Sequence, residues 1–135
     1  QGDHKPRTEL PEFLSKLKQT VTELARVGVQ PVLMTLPPID GARYLDYICR
    51  GGLSRDSIMR WLGDVGCIYR HQELYSDTVA SFAMREGLPL IDVRRRFLPQ
   101  RDLSELISAD GIHLTMPGYR QLFDTLAQWV VPQLA

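Results

Sequence analysis

Val29-Gln-Pro-Val-Leu-Met-Thr35 holds three apolar residues in succession, Val32, Leu33 and Met34, with no polar residue between them. A strand with one face in water alternates polar and apolar side chains. A run that is apolar at successive positions suits a parallel strand covered on both faces. Leu36-Pro37-Pro38 stops the run. A second run, Leu88-Pro-Leu-Ile-Asp-Val93, carries Pro89 near its start, where a strand tolerates it. Two parallel strands cannot be joined by a tight turn, so helices are expected between and around them.

The helical stripes are there. Leu10, Phe13, Leu14, Leu17, Val21, Leu24 and Ala25 recur at steps of three and four, with Thr8 as the predicted N-cap, Pro11 in the first turn and Gly28 just past the end. Residues 39–57 read as a loop with a short helical piece around Tyr44 to Cys49. Trp61-Leu62-Gly63-Asp64 then opens a long helix. Asp64 is its predicted N-cap, Ile68, Gln72, Tyr75, Val79, Phe82 and Ala83 its inner face, and Gly87 its end. Arg94 to Ala109 reads as a charged connection with a turn around Leu103 to Ile107. The last helix runs from about Pro117 to Val131, with Tyr119, Leu122, Phe123, Leu126, Ala127 and Val130 as its apolar stripe.

The order α-β-α-β-α predicts an α/β fold, a three-layer α/β/α sandwich with a parallel sheet. A buried parallel strand needs a hydrogen-bonding neighbour on each side. Leu88–Val93 supplies one for Val29–Thr35, and nothing else in the sequence supplies the other. The expectation is that residues 1–135 are the C-terminal part of a single larger domain, incomplete at the N-terminus, with a poorly paired edge at Val29–Thr35.

At 135 residues the chain has room for one domain. Sixteen Lys and Arg balance sixteen Asp and Glu, and a neutral chain has no electrostatic footprint for nucleic acid or an anionic membrane. No apolar run has the length of a membrane span, and no signal peptide is visible; compartment and oligomeric state stay open. Cys49 and Cys67 form no C-x-x-C pair, so neither a zinc knuckle nor a dithiol site reads from them.

The densest chemistry lies in Asp110-Gly111-Ile112-His113-Leu114-Thr115-Met116-Pro117-Gly118-Tyr119. An acid and a histidine three residues apart sit on a loop that feeds a helix. One turn at that spacing can bring the carboxylate to the Nδ1–H of the ring, which fixes the tautomer and leaves Nε2 as a general base. The plainer reading is a capping loop, with Asp110 in an Asx-turn and His113 at the surface.

The wider segment resembles the SGNH, or GDSL-type, hydrolases, a family of serine esterases and lipases whose last sequence block is D-G-x-H leading into a C-terminal helix. Asp110, Gly111, His113, Thr115, Gly118 and Tyr119 match that block in order. Thr35-Leu36-Pro37-Pro38-Ile39-Asp40 is similar to the family's strand-then-loop segment, and Trp61-Leu62-Gly63-Asp64 with Ile68-Tyr69-Arg70 and Glu73-Leu74-Tyr75-Ser76 is similar to a branch of bacterial members. The resemblance implies a flavodoxin-like sheet and a Ser-His-Asp triad. It also implies hydrolysis of an acyl ester, in the esterase, lipase or carbohydrate acetylesterase class. His113 would be the base and Asp110 its orienting partner. The substrate would be a small-molecule or carbohydrate ester, with no cofactor and no metal.

The family's nucleophile lies in a G-D-S block after the first strand, and no G-D-S occurs here. The resemblance therefore puts the serine upstream of these residues, and the isolated chain is expected to be inactive. The family's G-x-N-D block falls on Gln1-Gly2-Asp3-His4, where Asp3 can be its last residue and Gly2 stands where an Asn would donate to the oxyanion. A second reading is a shortened, non-catalytic relative that binds a glycan, a lipid or a protein partner. A third, a small stand-alone enzyme using Ser54, Ser76 or Ser108, needs one of those hydroxyls within reach of His113 Nε2.

Other candidates carry less. His4, His71 and His113 with Asp3 or Asp110 show no metal-ligand spacing. Arg94-Arg95-Arg96 reads as a solvated charge run. Trp61, Tyr69 and Tyr75 read first as core and second as the lining of an acyl pocket. Asp64, Arg70 and Glu73 read as a helix cap and a surface pair.

Overall fold

Two strands of two residues each, β1 (Leu33–Met34) and β2 (Leu90–Ile91), pair in parallel, Leu33 opposite Leu90 and Met34 opposite Ile91. The computed structural model describes residues 8–135. Around the strands stand α1 (Leu10–Arg26), α2 (Gly41–Arg50), α3 (Arg55–Leu62), α4 (Gly66–Glu86), the single turn α5 (Arg94–Phe97) and α6 (Met116–Val130), which runs into a 3-10 turn over Val131–Leu134. The chain is mostly helical with a small parallel sheet, so the α/β expectation holds at that level. The described residues do not form a full three-layer sandwich. The amides of Leu33 and Thr35 donate to Pro89 and Ile91 at 2.9 and 3.1 Å, and among the described residues no strand lies along the other edge of β1. Val29, Val32 and Met34 are exposed there, so the segment expected to be covered on both faces is not.

The core forms where β2 leads into α5. Ile91, Val93 and Phe97 are buried together, and Leu106, Leu114, Leu122, Leu126 and Trp129 pack on them. α4 packs on both strands and on α2, and α6 packs on β2. The predicted stripe of α6 divides. Leu122, Leu126 and Ala127 turn inward with Trp129 and Thr125, while Tyr119, Phe123 and Val130 are exposed. α1 keeps its stripe half-buried, tied down by Phe13 against Tyr75 (ring centroids 5.0 Å apart) and by the Tyr75 hydroxyl donating to the Thr8 carbonyl.

The helix ends show how local chemistry sets the boundaries. Glu9, not Thr8, is the N-cap residue of α1, and its side chain makes no capping bond. Gly28 lies past the end at φ +77° and Gly87 ends α4 in the left-handed region at φ +64°, as their positions suggested. Residues 39–57 hold more helix than expected. Asp40 caps α2 by accepting from the Arg43 amide at 3.0 Å, and Ser54 caps α3 by accepting from Ser57 at 3.3 Å. Trp61 and Leu62 close α3 rather than open α4. Asp64 still serves the α4 terminus, accepting from the Gly66 amide at 2.8 Å and pairing with Arg70 at 2.7 Å.

One part of the charge run is not solvated. Arg94 is 5% exposed. Its guanidinium pairs with Glu73, donates to the Leu36 carbonyl at 3.2 Å and lies 5.2 Å from the Tyr69 ring centroid. Its own amide donates to Thr35 Oγ1 at 2.9 Å, and that hydroxyl donates to Asp92 at 3.0 Å. Glu73 thus serves a buried cation, not a surface pair. The knot ties the ends of both strands to α4. Arg94→Met is expected to cost about 2–4 kcal/mol by taking the guanidinium from Glu73 and the Leu36 carbonyl, and the exposed Arg95→Met less than about 0.5 kcal/mol, compared by urea unfolding.

Candidate functional site

The D-G-x-H segment is a tight loop between an antiparallel bridge, Ile107 opposite Leu114, and the start of α6. The Ser108 amide donates to the His113 carbonyl at 2.8 Å, Gly111 to Ser108 at 3.0 Å, and Thr115 to Leu106 at 3.0 Å. Thr115 caps α6 by accepting from the Gly118 amide at 3.2 Å, while its hydroxyl donates to the Glu105 carbonyl at 2.5 Å. Two glycines are required. Gly111 sits at φ +82°, and a Cβ there would stand 2.5 Å from the Asp40 carbonyl oxygen. A Cβ on Gly118 would collide with the Leu106 carbonyl.

α2 holds the loop from outside. The Asp40 amide donates to the Gly111 carbonyl at 2.8 Å, so the chain leaving β1 is joined to the loop. Arg43 reaches across from α2, donating to the carbonyls of Ile107 at 2.7 Å and Ser104 at 3.1 Å. Sequence reasoning assigned Arg43 no part in the site. The signal was its place three residues after Asp40, whose capping role fixes where the arginine emerges.

Asp110 is the hub. Its Oδ1 accepts from the Ser108 hydroxyl at 2.6 Å and from the amides of Ile112 and His113, both at 3.0 Å. Its Oδ2 lies 2.5 Å from His113 Nδ1. Chiefly the Ser108 hydroxyl, then the His113 ring and backbone, hold this carboxyl well below the ordinary carboxylate range. An ionised carboxylate only accepts, so Nδ1 carries a proton, and in the neutral ring Nε2 then presents the lone pair. The His113 side chain is 69% exposed, with no hydrogen bond to Nε2 among the described residues. The structure thus brings Asp110 and His113 together and leaves the far edge of the ring open. A neutral imidazole held in this way can act as a general base, with the acid orienting it.

The stand-alone serine idea does not survive the geometry. Ser108 spends its hydroxyl on Asp110, on the Nδ1 side of the ring. Ser76 is buried and accepts from the Leu36 amide at 3.1 Å, and Ser54 caps α3. Gly2, Asp3 and His4 lie outside the described residues. Cys49 and Cys67 are free thiols, and among the described residues no group of three His, Cys, Asp or Glu side chains is placed to hold a metal ion. Among them, too, no helix is long and apolar enough to cross a membrane.

No protein-family model matches this sequence, and no curated protein matches it. Among solved structures the chain is similar to LAE5, an alpha/beta hydrolase enzyme from the metagenome of Lake Arreo, Spain. The TM-score is 0.60 at 20% identity, over 93% of this chain and 50% of that one. The likeness establishes the fold, one shared with an α/β hydrolase, and the chain spans half the length of that neighbour.

The depressed Asp110 carboxyl makes a stability prediction with a definite sign. Its folded-state pKa lies below its unfolded one. Its contribution is therefore fully present above the ordinary carboxylate value of about 4 and is lost as pH falls from there through its own lower value. The unfolding free energy of wild type minus Asp110→Asn should shrink as pH falls below about 4. A difference that holds or grows as pH falls below about 4 would contradict the network.

Proposed function

We propose that this chain is the His–Asp-bearing, C-terminal part of a serine acyl-ester hydrolase of the SGNH type, with residues 1–135 belonging to one domain. The observation that carries the proposal is the 2.5 Å contact of Asp110 Oδ2 with His113 Nδ1, in a loop that leaves Nε2 facing solvent. The six-residue match of Asp110, Gly111, His113, Thr115, Gly118 and Tyr119 to the family's last block supports it, and the fold shared with an α/β hydrolase supports its hydrolase part.

The chemistry follows from the lone pair on Nε2. A serine hydroxyl supplied by residues upstream gives its proton to Nε2 as its oxygen attacks the carbonyl carbon of an ester. The carbonyl oxygen becomes an oxyanion. The imidazolium, steadied by Asp110, then hands the proton to the departing alcohol and leaves an acyl-serine. Water repeats the sequence and releases the acid. Asp110 contributes orientation and charge, and the four donors around it keep it from turning away or protonating.

The full-length chain tests this in two ways. His113→Ala should lower p-nitrophenyl acetate turnover at least 10³-fold, and Asp110→Asn by about 10³–10⁴-fold, with both variants folded by circular dichroism. A fluorophosphonate should label one serine N-terminal to Thr8, and labelling should fail in His113→Ala. Near-normal turnover in that variant, or a label on Ser54, Ser76 or Ser108, would overturn the assignment.

A further inference from the structure

We infer that the apolar cleft between α2, α3 and α4 receives the apolar group of the ester, an alkyl or aryl group of roughly six to ten carbons, an inference that rests on the hydrolase reading above.

The cleft has a volume of about 400 Å³, within the range of small-molecule sites. α2 contributes Tyr44 and Ile48, α3 Ile58 and Trp61, and α4 Ile68. No Asp, Glu, Lys or Arg lines it, so it offers neither a countercharge for a phosphate nor the carboxylates that hold sugar hydroxyls. Of its polar members, Gln72 already donates to the Pro37 carbonyl at 3.3 Å, and His71 packs its ring on Tyr75 at 4.6 Å. What remains for an occupant is apolar surface, much of it in water. Trp61 is 64% exposed, Leu53 57% and Ile112 42%.

Two connections tie the cleft to the candidate base. Ile112 lines it and directly precedes His113, and the amides of both are held at 3.0 Å by the same Asp110 oxygen. α2, one wall of the cleft, begins at Asp40, whose amide is bonded to Gly111. A group seated in the cleft therefore lies beside the D-G-x-H loop, and the same hydrogen bonds fix wall and base. Tyr69 and Tyr75, weighed with Trp61 as pocket aromatics, are elsewhere. Tyr69 lies over Arg94 and Tyr75 is core, so of these three it is Trp61 that lines the cleft, beside Tyr44.

The test reads binding apart from turnover. In the full-length chain, Trp61 emission is followed during titration with acetate, hexanoate and hexan-1-ol, and Trp61→Phe identifies its share of the signal. Hexanoate or hexanol should give a saturable blue shift and acetate none, with each added methylene tightening binding about fourfold. Whichever six-carbon probe binds tighter tells whether the cleft takes the acyl or the alcohol side. Leu53→Asp, at an exposed rim position, should weaken that probe at least tenfold; where the probe is hexanoate it should also lower by at least tenfold the kcat/KM ratio of p-nitrophenyl hexanoate to acetate, and where it is hexan-1-ol the ratio of hexyl acetate to ethyl acetate. Ile48→Phe, which fills the cleft, should do the same. A silent Trp61, an equal response to acetate, or six-carbon binding unaltered in Leu53→Asp overturns the inference. The first of these is also what a cleft filled by an upstream segment would give. Loss of the proposed His113 role would appear in the turnover of His113→Ala and leave this titration unchanged, so the two failures are separable.

Discussion

Everything at the candidate site hangs on one carboxylate. Asp110 gathers a hydroxyl, two amides and a ring nitrogen on two oxygens, and each donor comes from within three residues of it. Such a hub can exist only because Gly111 lets the chain turn at positive φ while its backbone presses on the start of α2. A side chain there would push α2 away or open the loop, and the ring would lose its orientation in either case. The charge on Asp110 in turn keeps the loop closed, since a protonated acid would hold the same donors more weakly.

Much of this was legible in the sequence, because the interactions are local. The three-residue spacing of Asp110 and His113 lets one turn bring acid and ring together. Thr115, Pro117 and Gly118 mark the start of a helix by their own conformational preferences, and Gly28 and Gly87 mark ends in the same way. What could not be read depends on distant partners. Arg94 sits in a run of three arginines, and nothing in the run tells which one is buried. That was settled by Glu73 and Tyr69 on α4 and by the carbonyl of Leu36. Val32-Leu33-Met34 is apolar enough for a strand covered on both faces, yet cover is a property of neighbours, and among the described residues β1 has one strand beside it. Tyr119 and Phe123 share the period of the α6 stripe yet stand exposed, because a stripe does not say how wide a surface the helix is offered. Of the α2–α3 pair the sequence shows only the piece around Tyr44 to Cys49, because Gly51 and Gly52 break the pair into helices too short for periodicity to register, leaving Asp40 and Ser54 as caps to be recognised first.

The two anchoring systems are distinct. The Arg94 knot ties β1 and β2 to α4 through long-range contacts and fixes where the chain emerges toward Asp40. The Asp110 hub sets the ring within a stretch of ten residues. They meet at Asp40, whose amide bonds to the loop and whose carboxylate caps α2. Orientation of the imidazole is thus decided inside this part of the molecule. A nucleophile delivered by other residues needs only to reach the exposed Nε2 edge, since Ser108 and the loop backbone occupy the opposite side of the ring. On the hydrolase reading the reacting carbonyl would lie on the solvent side of His113, whose chain neighbour Ile112 lines the apolar cleft. The surface that would seat an ester's apolar group and the ring that would take the proton are then neighbours through Ile112 and His113, and one short loop sets them both.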